Sequence, residues 1–183
     1  MTFVHWRRIL AAGIVSGVAL SSLSGCSNEQ EAQSQKTSIV IPALWVGSKG
    51  DEVVAGVELA GITLDGNSSA AEAGFSIDLA DIKAQGAGAQ WTAATASATV
   101  TATILSATDP TTVHADFTVT GQIDGPSAGG ILTVGLLSLL RGEPLRSEVT
   151  MTGTISPNGA IGAVGGVPEK IESAIKAGYT TIL

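Results

Sequence analysis

Asp124-Gly125-Pro126-Ser127-Ala128-Gly129 is followed, 43 positions after its serine, by Lys170 in Gly165-Gly166-Val167-Pro168-Glu169-Lys170. Proline is favourable at a helix start. Pro126 and Pro168 therefore place Ser127 and Lys170 in the first turns of two helices, where they read as the halves of a serine–lysine dyad. Downstream of the serine, Ile131, Leu132, Leu136, Leu139 and Leu140 form an apolar face at helical spacing, and Gly142 sits just past its end. Val149 to Ile155 reads as a strand. Pro157-Asn158-Gly159 is a turn signal, and Ala160 to Val164 returns as the partner strand. The helix opened by Pro168 runs to Gly178, and Tyr179 to Leu183 begins a last strand.

Upstream the pattern is less uniform. Ser38 to Val46 and Glu52 to Leu59 are rich in Val, Ile and Ala, with Lys49-Gly50-Asp51 between them, so they read as two strands and a turn. Phe75 to Leu79 is a third candidate strand, and Val113 to Thr120 a fourth, with Phe117 and Val119 on one face. Ala89 to Leu105 stays open. Its alanines and Trp91 suit a helix, whereas the Thr/Ala alternation from Ala98 to Thr103 suits a strand. Trp45 and Trp91 are expected in the core. No repeat interrupts this order.

The chain has 183 residues, 44% of them hydrophobic and 14% charged, which implies a packed core. Its first segment does not belong to that core. Arg7 and Arg8 precede an apolar run from Ile9 to Leu20, too short for an ordinary membrane-spanning helix. The run ends in Leu23-Ser24-Gly25-Cys26, which looks like a bacterial lipobox, with cleavage before a cysteine that receives a diacylglycerol. Cys26 is the only cysteine, so no internal disulfide can form. Residues 1–25 are expected to be a lipoprotein signal peptide and 26–37 a polar, flexible tether. Residues 38–183 are expected to be the folded domain, held at the extracytoplasmic face of a cell-envelope membrane. Loss of residues 1–25 would leave seven basic and sixteen acidic residues, a net charge of −9. Nucleic acid is not expected as a partner, nor is an electrostatic membrane anchor.

From Gln122 to Leu183 the chain resembles the proteolytic domain of Lon protease, in its secreted or membrane-associated, ATP-independent variety. The resemblance is carried by Asp124 to Gly129, by Met151-Thr152-Gly153, by Gly165-Gly166 with Lys170, and by Ile175-Lys176-Ala177-Gly178. Ile155 to Gly166 is similar to archaeal-type members without an ATPase. Residues 38–120 agree only in the order of elements. The resemblance implies an α+β domain, a mixed sheet with packed helices. It makes Ser127 the nucleophile, Lys170 the general base and Thr152 a hydroxyl that helps hold the lysine amine. Two features depart from the pattern. Thr154 stands where many members have glutamate, and the histidines that many bacterial members carry before Asp124 are absent. Family domains also continue through a further helix and strand, so the C-terminus at Leu183 is expected to be incomplete.

The chemistry asks much of these side chains. A serine hydroxyl attacks only when a base takes its proton. Lysine can be that base only as a neutral amine, far below its ordinary pKa of about 10.4. Burial and a helix N-terminus both favour the neutral form. Val164, Val167, Ile171 and Ala174 would supply apolar surroundings, and Glu169 opposes them unless its side chain points outward. Asp124 could orient the lysine or cap a helix. His114 has no second candidate ligand near it, so neither a metal nor a cofactor is expected. The phosphate loop G-x-x-x-x-G-K-[ST] is missing, so the substrate would be an exposed or unfolded polypeptide. The reading is an ATP-independent serine endopeptidase. The alternatives are a catalytically inactive Lon-like lipoprotein that binds peptides or a partner, and a structural lipoprotein with accidental motifs. A homo-oligomer stays open.

Overall fold

The computed structural model describes residues 36–65 and 86–183. The leader, Cys26, most of the tether and the Phe75–Leu79 strand lie outside the described residues. The first two elements are β1 (Lys36–Lys49) and β2 (Glu52–Asp65), paired antiparallel from Lys49↔Glu52 to Lys36↔Asp65. Gly50 and Asp51 form the connection, and Gly50 takes φ +64°, the left-handed conformation that a two-residue hairpin asks of its loop. β1 begins two residues earlier than the composition indicates.

The ambiguous stretch is a helix, α1 (Ala89–Ser106). Threonine is an indifferent helix former, but here its hydroxyls bond the preceding turn. Thr95 donates to the Thr92 carbonyl at 2.7 Å, Thr99 to that of Thr95 at 2.9 Å, and Thr103 to that of Thr99 at 3.1 Å. With its polar atom satisfied, each threonine packs as a small apolar group beside Ala94, Ala98 and Ala102, which are buried. A short 3₁₀ turn, Pro110–Thr112, leads into β3 (His114–Val119), antiparallel to β2 with Phe117 opposite Ile62. Ala115, Phe117 and Val119 alternate into the core, the face that the sequence pattern indicates.

A 3₁₀ turn, Pro126–Ala128, carries Ser127 and runs into α2 (Gly129–Arg141). Ile131, Leu132 and Leu136 are buried, and Leu139 and Leu140 are partly so. Gly142 ends the helix at φ +66°, its N–H bonded to the Leu139 carbonyl. α2 lies close on the sheet: a Cβ at Gly135 would stand 2.8 Å from both Ile41 and Ile62 side chains.

Val149 to Ile155 is not one strand. β4 (Val149–Thr150) pairs in parallel with β7 (Thr181–Ile182), and a bridge from Met151 to Ala43 joins it to β1. The chain then leaves this plane, and β5 (Thr154–Ile155) pairs with β6 (Ile161–Gly162) across the Pro157–Gly159 turn. The break has a cause. Gly153 donates to the Ser127 carbonyl at 2.8 Å and accepts from Gly130 N–H at 3.0 Å, so its backbone serves the serine turn and not a ladder. The last helix, α3 (Val167–Lys176), starts one residue before Pro168. A Cβ at Gly166 would meet Val46 at 2.6 Å, whereas Gly135 meets Ile41. Residues 41 and 46 point to opposite faces of β1. The hairpin is therefore covered by α2 on one face and approached by α3 on the other.

Candidate active site

Lys170 occupies the first turn of α3, its N–H bonded to the Gly166 carbonyl at 3.0 Å. The side chain is only 2% exposed. Nζ donates to Thr152 Oγ1 at 3.2 Å. Among the described residues, no carboxylate pairs with this amine. Burial pushes its pKa below the ordinary lysine value, and no acidic group offsets the effect. The half-buried Glu169 beside it contributes nothing to the shift. The apolar surroundings differ from those inferred by helical neighbourhood. Ala174 is buried and Val164 lines the same cleft, whereas Val167 and Ile171 are partly exposed, and Val46 of β1 comes in against Gly166.

Ser127 is half-buried at the middle of its 3₁₀ turn, entered through Gly125 at φ +102°, ψ 152°, a conformation open essentially to glycine. Its carbonyl accepts from Gly153 N–H at 2.8 Å and from the Thr152 hydroxyl at 3.4 Å. Thr152 thus bonds both predicted partners, the lysine amine through its oxygen and the serine backbone through its proton. Ser127 and Lys170 line one cleft of about 290 Å³, together with Trp45, Val46, Thr154 and the Ala163–Gly165 segment. No direct hydrogen bond joins Ser127 Oγ to Lys170 Nζ; the link between them runs through Thr152.

Asp124 is at the cleft but does not bond the lysine. Its Oδ1 accepts from the N–H groups of Gln90 (2.9 Å), Trp91 (3.1 Å) and Gly125 (2.8 Å). Of its two sequence roles it takes capping, and the helix it caps is α1. The Gly125 amide, helped by those of Trp91 and Gln90, holds its pKa below the usual carboxylate value. Trp91 is core, at 1% exposure, as expected. Trp45 is only half-buried: it packs against the core and also forms a wall of the cleft. Sequence reasoning missed this wall, although one signal was available. Trp45 lies opposite Gly56 in the hairpin register, and its ring occupies the space a Cβ there would need, at 2.8 Å.

Fold and site together define a mixed α/β domain in which a serine turn and a buried lysine line one cleft. The family model of the Lon protease (S16) C-terminal proteolytic domain matches residues 20–183, and the chain belongs to that family. The match reaches well upstream of Gln122, where the sequence resemblance was carried by element order alone. Over 60 residues the chain is 50% identical to the Lon protease of Frankia alni, 47% to Lon protease 1 of Sorangium cellulosum and 43% to the Lon protease of Xanthomonas oryzae. Each alignment covers 33% of this chain and 7% of the relative. The chain thus matches a small part of these relatives' length.

Proposed function

We propose that this domain is a serine endopeptidase in which Ser127 attacks the peptide carbonyl and Lys170 is the general base. The observation that carries the reading is the Lys170 amine, buried without a counter-ion beside the cleft that Ser127 lines. A neutral amine that donates one N–H to Thr152 keeps its lone pair for the Ser127 proton. The reading requires Ser127 Oγ and Lys170 Nζ to close to hydrogen-bond distance with substrate bound, when catalytic hydrogen bonds often tighten. Serine adds to the carbonyl carbon, its proton passes to Lys170, and the resulting ammonium protonates the departing amine. Water then loses a proton to the regenerated base and releases the acyl group. Pro126 has no N–H and the Gly125 amide is taken by Asp124, which leaves the Ser127 N–H as the donor of this turn for the developing oxyanion.

The substrate is an exposed or unfolded polypeptide segment, taken without nucleotide hydrolysis. Lipid at Cys26 would hold the domain at the outer side of a membrane; mass spectrometry of the membrane-extracted protein checks this through the mass of its N-terminal peptide. The central test is covalent labelling by a fluorophosphonate. The native chain should label at Ser127, and Ser127→Ala and Lys170→Arg should not. An unlabelled native chain, folded by circular dichroism, would reject the peptidase and leave a peptide-binding domain.

A further inference from the structure

From the geometry we infer that Asp124 is a positioning residue for Ser127: it ties the nucleophile's turn to the start of α1 and does not act on Lys170. The inference rests on the peptidase reading above. Helix α1 begins after Gly88, which has no side chain to satisfy the free N–H groups of the first turn. Asp124, more than thirty residues onward, supplies the missing acceptor. One carboxylate oxygen, Oδ1, takes the amides of Gln90 and Trp91 on the helix side and of Gly125 on the serine side. Two backbone bonds flank it, Gly88 N–H to the Ile123 carbonyl at 2.8 Å and Ile123 N–H to the Gly86 carbonyl at 3.2 Å.

Gly88 shows how closely the parts fit. Its φ of −81° and ψ of 176° are ordinary extended backbone, so conformation does not call for glycine. Space does. A Cβ there would lie 2.1 Å from Asp124 Cγ and 2.4 Å from Oδ1. The carboxylate fills the place of the side chain that Gly88 lacks. Since Trp91 is fixed in the core, the serine turn is anchored to a rigid body on this side. On the other side it is held by Thr152 and Gly153 through the Ser127 carbonyl. Three amides and the positive end of α1 also disperse the carboxylate charge, which would otherwise favour an ammonium in the cleft.

The test uses the full chain and three variants: Asp124→Ala, Asp124→Asn and Gly88→Ala. Asparagine keeps an acceptor oxygen without the charge. Gly88→Ala displaces the carboxylate without altering it. Asp124→Ala and Gly88→Ala should lower kcat, and the rate of Ser127 labelling, on the order of 10- to 100-fold, the scale of a small misplacement of a reacting group. KM should change little, Asp124→Asn should recover most of the loss, and the pH midpoint of activity should stay in place. Amide exchange at Gln90, Trp91 and Gly125 should quicken in Asp124→Ala; if that variant fails to fold, Gly88→Ala and Asp124→Asn decide the matter. Asp124→Asn as impaired as Asp124→Ala, with a displaced pH midpoint, would instead assign Asp124 to the lysine charge. Native labelling rates in Gly88→Ala would equally overturn the clamp. A native chain that never labels at Ser127 overturns the peptidase and the clamp together, whereas normal labelling with unaffected clamp variants overturns the clamp alone.

Discussion

Lys170 is an expensive residue for the fold. A buried amine with one hydroxyl partner destabilises the folded chain, and a methionine of similar length would not. Lys170→Met should therefore be inactive yet melt at a higher temperature than the native chain. Lys170→Arg should be inactive for another reason, because arginine cannot release its proton in a protein. The pH dependence has a definite sign. Burial lowers the folded pKa below the ordinary 10.5, so between the two values the unfolded chain holds the extra proton. Stability should rise with pH through that window, and the melting difference between the native chain and Lys170→Met should narrow toward its upper end. Activity should rise over the same direction as the amine deprotonates, and a flat rate from mildly acid to strongly alkaline pH would count against lysine as base. Thr152→Val removes one hydroxyl that bonds both partners. Its labelling rate should fall about 10-fold, roughly the worth of one such hydrogen bond, with little change in secondary structure.

Elements meet at Gly129, where α2 begins against β5. A Cβ there would stand 2.8 Å from Ile155 Cγ2 and 2.9 Å from its backbone nitrogen, which cannot swing aside. Gly129→Ala should cost about 1–3 kcal/mol. Gly165→Ala, with no atom within 4 Å of the added carbon, should leave the melting temperature unchanged. The contrast shows why some elements were legible in the sequence. The hairpin turn, the end of α2 at its terminal glycine, and α3 around Pro168 are written in local signals, and the structure has them within a residue or two, whereas Pro126 opens a 3₁₀ turn and α2 starts at Gly129. The serine and lysine turns were legible because their residue types and spacing carry the resemblance. α1 was not, because its threonines become helix-compatible only by bonding the preceding turn, which periodicity does not register. The break at Gly153 was hidden for a different reason: its backbone groups are claimed by Ser127 and Gly130, more than twenty residues away along the chain. Asp124's true partners and Trp45's place in the cleft depend on contacts that no local pattern encodes.

Across the whole molecule, apolar surface is distributed unevenly. α3 buries Lys170 and Ala174 while Val167, Ile171 and Ile175, one turn apart, remain 39%, 37% and 60% exposed. A stripe of this kind favours self-association. Ile175→Lys, which also suits the negative end of the helix, should reduce light scattering at high protein concentration without slowing Ser127 labelling. The final strand reaches further. The Leu183 carbonyl accepts from Thr152 N–H at 2.9 Å, and Leu183 N–H donates to the Thr150 carbonyl at 3.0 Å. Thr152, the residue that touches both halves of the site, is thus held by residue 183. A chain emerging from the ribosome presents Ser127 long before that support exists. On the reading proposed above, order of synthesis would act as a safeguard: the nascent polypeptide would carry its nucleophile before residue 183 is there to hold Thr152. Chains ending at residue 180 should label at Ser127 more slowly than the 183-residue chain, and equal rates would remove the safeguard.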